Sequence, residues 1–599
     1  MAGERTVSDA LIARLHEWGV DRVFGYSGDG INGVMGALRR SSDVEFVQAR
    51  HEESAAFMAV GHAKFTGRLG VVTSTQGPGA VHLLTGLYDA KLDHVPVVAI
   101  VGQQKTSVLG SGYMQEIDLQ HVFADVAAQF VQTVASAEQV PMVVDRAVRA
   151  AFATRSPAVV IIPHDIQQEP EADLPHEHGV IATAVDWRPP RVLPHDDDVR
   201  QAVDVLTAGS RPMLLVGQGA AGARDEVVRI AERLGAGIVT SLLGKPHVDE
   251  TLPFAAGTMG HLGTTASGQL LSECDTLLIV GCDSPWTEFY PPPGAARAVQ
   301  IDIDGRRMGD RYPIEVGLVG DAALTLQALE RLLDEAPARV GEWRDTVELR
   351  VREWRQIRDE RAATPAAPIN PERVTAELRP LLPGDAMVAV DVGSCAYWYA
   401  RQLDLPAGAS AHISGTLASM GCAVPYGIAA KLAAPDRPVV ALAGDGATQM
   451  LGLAELVTLS RLWTRWTDPR FVLCVFDNGD LAEVSWEQRE MEQEPRFEES
   501  QALPSVPYAR YAELLGMHGI EVDDPVRLAE AWREALDADR PTVLHVHTDP
   551  AVPLLPPFPG GAAKLAGMRD ALRREGDAAV HALELLELYA GHESSRYGG

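Results

Sequence analysis

A short apolar run that ends at Gly, Asp, Pro or His, followed by residues at helical spacing, recurs along this chain. Examples lie at 95–101, 159–162, 213–216, 276–280, 439–443, 471–476 and 543–546. Runs of this length without polar alternation read as strands buried on both faces. Buried strands separated by helices predict an α/β fold of doubly wound parallel sheets. Ligands of such sheets sit outside the carboxyl ends of the strands, where the Gly and Asp residues fall. Two polar seams, at 167–200 and 334–371, interrupt the pattern. The expected organisation is therefore a first domain over 1–175, a second over 195–335 and a third over 372–550. A tail over 551–599 opens with prolines and continues at helical spacing.

Charge and cysteine content narrow the partners. Against 52 Lys and Arg stand 82 Asp and Glu, a formal charge of −30. Such a surface repels phosphate backbones, so no nucleic-acid partner is expected. No stretch reaches the ~18 apolar residues of a membrane helix. The N-terminal residues lack an apolar signal core. The five cysteines form no CxxC pair, which argues against a disulfide framework or zinc knuckle and for a reducing, cytoplasmic setting.

Two strand ends in the third block carry the strongest local signal. AGDGATQM (443–450) closes one apolar run, and FDNGDL (476–481) closes another. Gly444 and Gly446 let backbone approach a ligand. Asp445 is a hard oxygen ligand for a divalent cation, with the Asn478 side chain and the Asp480 carbonyl as partners. GDG alone reads equally well as a plain turn; its pairing with DNG points to a cation that bridges a diphosphate. In the first block, FGYSGDG (24–30) is a glycine-rich turn after a strand, and ARHEESAAFMAVGHAKFTG (49–67) reads as a helix with small residues on one face. Glu52 lies at its start, where the ordinary fate of a glutamate is solvation. TSTQGPGAVHLLTGLYDA (73–90) is a strand end, a GPG turn and a helix start. GSGYMQEID (110–118) is a loop offering Gln115 and Glu116.

Together these segments resemble the thiamine-diphosphate (ThDP) enzymes of the pyruvate oxidase and acetolactate synthase group. The likeness runs over nearly the whole chain and is nearest to the quinone-dependent pyruvate oxidases. The resemblance implies three α/β domains that bind, in order, the aminopyrimidine, FAD and the diphosphate. Glu52 would hydrogen-bond the pyrimidine N1′ and promote loss of the proton from the thiazolium carbon. Met420 would hold ThDP bent; its ordinary alternative is core packing. Asp445, Asn478 and Asp480 would bind Mg²⁺. Ser27, Gly28, Pro78, Asp391, Val392, Gly393, Ser394, Ala418, Ser419, Gly444, Gly446, Ala447 and Leu481 would complete the cofactor site. Gln115 and Glu487 match polar positions that handle substrate or intermediate, although Glu487 could also be a surface charge in WEQREMEQE. In the second block Met259, Gly260, His261, Leu262, Cys282, Asp283, Ser284, Pro285 and Asp302 match positions that contact FAD. Relatives also keep this domain without a redox-active flavin.

Some positions depart from the group. Asp477 replaces the first Asn of its NN pair, Glu483 replaces an aromatic residue, and residues 463–469 look inserted. The tail resembles one that touches membranes, yet Glu584 and Glu587 oppose anionic lipid, so packing on the body is expected with peripheral membrane contact at most. The resemblance implies decarboxylation of pyruvate or a similar 2-oxo acid, with oxidation of the enamine intermediate through FAD toward quinone or oxygen. The alternatives are non-oxidative carboligation of the acetolactate or acyloin type and a lapsed nucleotide-binding scaffold. In this family the cofactor lies between subunits, so a homodimer or homotetramer is expected.

Overall fold

A computed structural model describes residues 5–334, 341–557 and 561–597. Of the expected limits, positions 1, 335 and 599 lie outside the described residues. The apolar runs form three six-stranded sheets, and every pairing in them is parallel. The first contains β1 (Arg22–Gly25), β2 (Glu45–Gln48), β3 (Gly70–Ser74), β4 (Val97–Gln103), β5 (Val131–Thr133) and β6 (Pro157–Pro163). The second contains β7 (Pro212–Val216), β8 (Gly237–Thr240), β9 (Ala255–Thr258), β10 (Thr276–Val280), β11 (Arg297–Asp302) and β12 (Val316–Val319). The third contains β13 (Met387–Val390), β14 (Ser410–His412), β15 (Val439–Gly444), β16 (Phe471–Asp477), β17 (His518–Val522) and β18 (Thr542–His547). Every residue of β4, β6 and β16 is buried, as unalternating apolar runs require. The run expected at 95–101 starts two residues late. Val95 N–H closes the preceding helix on the Ala90 carbonyl (2.8 Å), and Pro96 has no N–H to give.

Strand order fixes where ligands can sit. The first sheet runs β2-β1-β3-β4-β6-β5 and the third β14-β13-β15-β16-β18-β17. Counted from their own first strands, the two orders are the same. The order reverses beside β1 and β3, and again beside β13 and β15, opening a crevice at each switch point. The second sheet runs β12-β11-β10-β7-β8-β9. Renumbered and read backwards, this is the 3-2-1-4-5-6 order of dinucleotide-binding sheets.

The first and third sheets share one apolar core, whereas the second has its own. The joint is the helix Glu52–Thr66 against the helix Ala423–Ala433. Small residues let the two approach closely. A Cβ on Gly61 would stand 2.9 Å from the Tyr426 Cα and 3.0 Å from its ring. The long helix Glu342–Ala363 packs Val347, Val351, Trp354 and Ile357 into the second core. Its far end receives the tail: Arg361 pairs with Glu593 (2.9 Å), and Asn370 donates to the Tyr589 hydroxyl (2.9 Å). Met568, Leu572, Leu585, Leu586 and Tyr589 of the tail are buried in the third sheet's outer core. Glu587 is paired with Arg569. No helix among the described residues is long and apolar enough to cross a membrane.

The Gly61 contact gives a direct test. Gly61→Ala forces a methyl group into the Tyr426 backbone and should destabilise the chain by about 1–3 kcal/mol, the usual cost of overpacking. Denaturant unfolding measures it, and Gly67→Ala at the exposed helix end, where φ is +68°, serves as a strain-only comparison.

Candidate active site

The first crevice is built by residues with room made for them. Glu52 opens its helix behind His51, whose Nδ1 accepts from the Glu53 N–H (3.2 Å). The Glu52 side chain is mostly buried, and its Oε2 lies 3.0 Å from His82 Nδ1. The His51 and His82 ring centroids stand 4.5 Å apart, and one donor atom of each lies within 4.8 Å of a Glu52 oxygen, so the acid sits beside two imidazoles. The other oxygen of Glu52 faces the turn after β3, where a Cβ on Gly79 would come within 3.1 Å of Oε1. Gly77 in that turn has φ +60° and packs on Gln115, which itself adopts φ +63°. Gln76 donates to Gln115 Oε1 (3.0 Å), and Gly28 packs on Thr75. Glu52, Pro78, Gln115, Gly28 and the exposed Ser27 thus converge on one switch point. Glu116 does something else: its carboxylate accepts from Gly110 N (2.5 Å) and Tyr113 N (3.0 Å) and shapes the 110–118 loop.

The second crevice joins β13 to β15. Asp391 is buried and accepts from Val392 N (2.9 Å), Gly421 N (2.7 Å) and Ala423 N (3.0 Å). Burial pushes its carboxyl up to about 6. Its oxygens are therefore turned to the backbone beyond Met420, and it orders that segment. Ala418 sits at φ +57° and Gly421 at +95°, which bends the chain around the half-buried Ser419 and Met420. Val392 and Gly393 lead into the helix Ser394–Gln402, whose first-turn N–H groups suit an anion.

Asp445 closes the crevice. Its Oδ2 accepts from Gly479 N (2.7 Å) and Asn478 N (3.2 Å), and its Oδ1 from Gly446 N (2.9 Å). Burial and the neighbouring Asp477 raise its carboxyl to about 7. Asp480 spends its side chain on Arg496 (2.8 Å) and Ser485 (2.7 Å), and neither bond uses its backbone carbonyl. Gly446 packs on Leu481, and Ala447 is buried beside it. A Cβ on Gly393 or Gly444 would meet nothing within 4 Å, so the strand ends frame open space. The helix Ala482–Glu487 follows, with Glu483 and Glu487 one turn apart. Burial, then Glu487, raises Glu483 to about 7. Burial, then Glu490, raises Glu487.

In the second sheet, Gly217 and Gly219 press against Gly281 at the switch point, with Gly219 N donating to Gly281 O (2.9 Å). Gly260 lies on the Trp286 ring, and His261 packs edge-on to Trp286 and Phe289. Arg401 of the third block donates to the carbonyls of His261 and Gly263. Met259, Leu262, Cys282, Asp283, Ser284 and Pro285 follow on the same two loops. Asp302 ends β11 and accepts from Asp304 N (2.9 Å); burial raises it.

Sequence reasoning missed two features. One is the imidazole pair at Glu52: His51 is its N-cap and His82 lies four residues after Pro78, a helical spacing that was readable. The other is a buried ionic joint. Lys64 donates to Asp93 (2.6 Å), to the Ile413 carbonyl (2.8 Å) and to the Tyr426 hydroxyl (2.8 Å), and lies 3.6 Å from Asp89. Tyr426 donates to Asp89. Asp93 also accepts from Gly415 N (3.0 Å) and Thr416 N (2.9 Å), just before Ala418. Burial opposes the charge on Lys64, but Asp89 and Asp93 outweigh it and raise its pKa. No sequence motif links 64, 89 and 416; only packing does. No hydrogen bond or ion pair among the described residues joins Glu52 directly to Asp445, Asn478 or Met420. The nearest tie is Glu455, which accepts from Arg50 N (2.8 Å).

Known proteins identify this architecture. Residues 5–122 match the thiamine pyrophosphate enzyme N-terminal TPP binding domain, 199–329 its central domain and 391–546 its C-terminal TPP binding domain. A putative thiamine pyrophosphate-containing protein of Bacillus subtilis is 34% identical over 93% of this chain and 93% of its own length. The chain belongs to the thiamine pyrophosphate enzyme family. Within this family it is similar to acetolactate synthase isozyme 2 large subunit of Escherichia coli, 32% identical over 94% of this chain and 98% of that one. It is also similar to the pyruvate oxidase of Lactiplantibacillus plantarum, 33% identical over 74% and 72%. The residues present fit ThDP. An open cradle lies above Gly393 and Gly444, and beside it Asp445, Asn478 and the Asp480 carbonyl would offer oxygen donors to Mg²⁺.

The ionic joint carries its own prediction. Lys64→Met leaves Asp89 and Asp93 buried without their cation and should cost about 3–5 kcal/mol. Unfolding monitored by circular dichroism reads the loss, and a change below 1 kcal/mol would show that the joint is not an ion cluster in solution.

Proposed function

We propose that this thiamine pyrophosphate enzyme decarboxylates pyruvate or a similar 2-oxo acid with ThDP and Mg²⁺ and passes the electrons to FAD, then to quinone or oxygen. The observation that carries the reading is Glu52, a mostly buried acid at a switch point, with one oxygen held by His82 and the other free beside Gly79. Bound ThDP would supply an acidic thiazolium carbon and an electron sink. Glu52 would hold the proton at the pyrimidine N1′. Asp445, Asn478 and the Asp480 carbonyl would carry Mg²⁺, and the N-terminus of the helix Ser394–Gln402 would face the diphosphate. Met420, on the bend set by Ala418 and Gly421, would fix the cofactor's shape. Gln115, held by Gln76, would orient the substrate. Glu483, raised by burial to about 7, would be able to donate as well as accept a proton near neutrality, and Glu487, raised by burial and then Glu490, stands one turn away. The 3-2-1-4-5-6 order of the second sheet supports FAD between the 259–262 and 282–285 loops, with Asp302 toward a ribose or adenine group.

A homodimer or homotetramer belongs to the same reading, because in this family the cofactor lies between subunits. Carboligation is the second reading. It is favoured by Glu483, and by acetolactate synthases that match along 94% of the chain where the pyruvate oxidase matches 74%.

The visible spectrum of the purified protein, before and after anaerobic pyruvate with ThDP and Mg²⁺, separates the two. A flavin band that bleaches is the expected outcome. Product formation with an unchanged or missing flavin band would replace oxidation by carboligation or simple decarboxylation. Glu52→Gln should lower turnover by about 10²–10⁴-fold, the range of general acid–base catalysis, while calorimetry still detects ThDP binding. Near-normal turnover would remove Glu52 from the proton path.

A further inference from the structure

One polar cluster is left unused by that chemistry. We propose that Asp477, His545 and His547 form a binding site for a first-row transition ion of the zinc class, separate from the oxygen position at Asp445, Asn478 and Asp480. The strand register builds it. His545 and His547 are two residues apart on β18 and therefore lie on one face. β16 pairs with β18 so that Asp477 stands opposite His547 and Val475 opposite His545. Asp477 Oδ2 lies 2.7 Å from His545 Nε2 and 3.5 Å from His547 Nδ1. One donor atom from each of the three residues falls within 4.8 Å of the others. Donors that share a tetrahedral ion at ordinary bond lengths stand about 3.3 Å apart. The ion needs only the Asp477–His545 hydrogen bond to open and its proton to leave.

What surrounds the three residues fits the same use. His547 Nε2 is bonded to Glu521 Oε1 (2.8 Å) on β17, a carboxylate behind an imidazole that would orient it and strengthen it as a ligand. The Tyr508 ring stands edge-on to His545 at 5.0 Å. His545 Nδ1 is buried without a hydrogen-bond partner, so that ring engages only through the nitrogen facing Asp477. His547 keeps 30% of its side chain exposed, which leaves a path for an ion and for water as a further ligand. Two imidazoles and one carboxylate suit Zn²⁺, Co²⁺ or Ni²⁺, whereas Mg²⁺ prefers oxygen and its own waters. Such an ion would tie β16 to β18 one residue from Asn478.

The test uses the full chain with excess Mg²⁺, with and without ThDP, so it does not depend on the proposed reaction. Zn²⁺ is titrated by calorimetry and Co²⁺ by visible absorption. One ion per chain is expected, with Co²⁺ bands and a Zn²⁺-dependent rise in melting temperature. His547→Gln, at a partly exposed position, should weaken uptake at least tenfold, and Glu521→Gln by about 10–100-fold. Circular dichroism checks that both variants fold. No uptake by the parent chain, or uptake unchanged in His547→Gln, overturns the site and leaves Asp477–His545 as a hydrogen bond alone. Uptake that vanishes as Mg²⁺ is raised tenfold also overturns it, because the ion then occupies the oxygen position.

Discussion

Everything in this chain depends on two helices of small residues that touch almost backbone to backbone. The helix Glu52–Thr66 places an acid at one crevice with its first residue and a lysine at the joint with its thirteenth. The helix Ala423–Ala433 begins where the 414–422 segment ends. Their contact makes one core of two sheets and so fixes Glu52 relative to the segment that bends around Met420. Alanine and glycine are weak sources of apolar area, but they allow the close approach that larger residues would prevent. Much of the stabilisation then comes from dense packing over a long interface.

The buried charges follow the same logic. Lys64, Asp89 and Asp93 occupy the rim of that interface, where burial alone would favour neutral groups. Lys64 keeps its charge because Asp89 and Asp93 outweigh its burial, and Asp93 also accepts backbone N–H groups of the neighbouring segment. Asp391 and Asp445 likewise accept backbone N–H bonds, so their positions are set by main chain and not by flexible partners. A loop that donates its N–H groups to a buried carboxylate has little freedom left, which is what a preorganised binding surface requires.

The repeating apolar runs made the sheets legible, because strands buried on both faces have no polar positions to blur them. The glycine and aspartate residues that end those runs made the crevices legible too. What stayed hidden were relations set by packing. Asp391 reads as a crevice-lining acid, yet its oxygens face the 421–423 backbone. His82 and Lys64 belong to ordinary helical stretches, and their partners lie 30 and 29 residues away in sequence. The departure at Asp477 was visible, but the two histidines beside it are brought there only by strand pairing.

The shared strand order of the first and third sheets has a historical consequence. Two modules of one topology, packed against each other through equivalent small-residue helices, have the form of an ancient self-paired protein whose two copies became joined in a single gene. A partner once identical could then diverge. One copy has a crevice with an acid and two imidazoles, the other a crevice with glycines and carboxylate oxygens. The intervening module has a different strand order and stands outside that pairing.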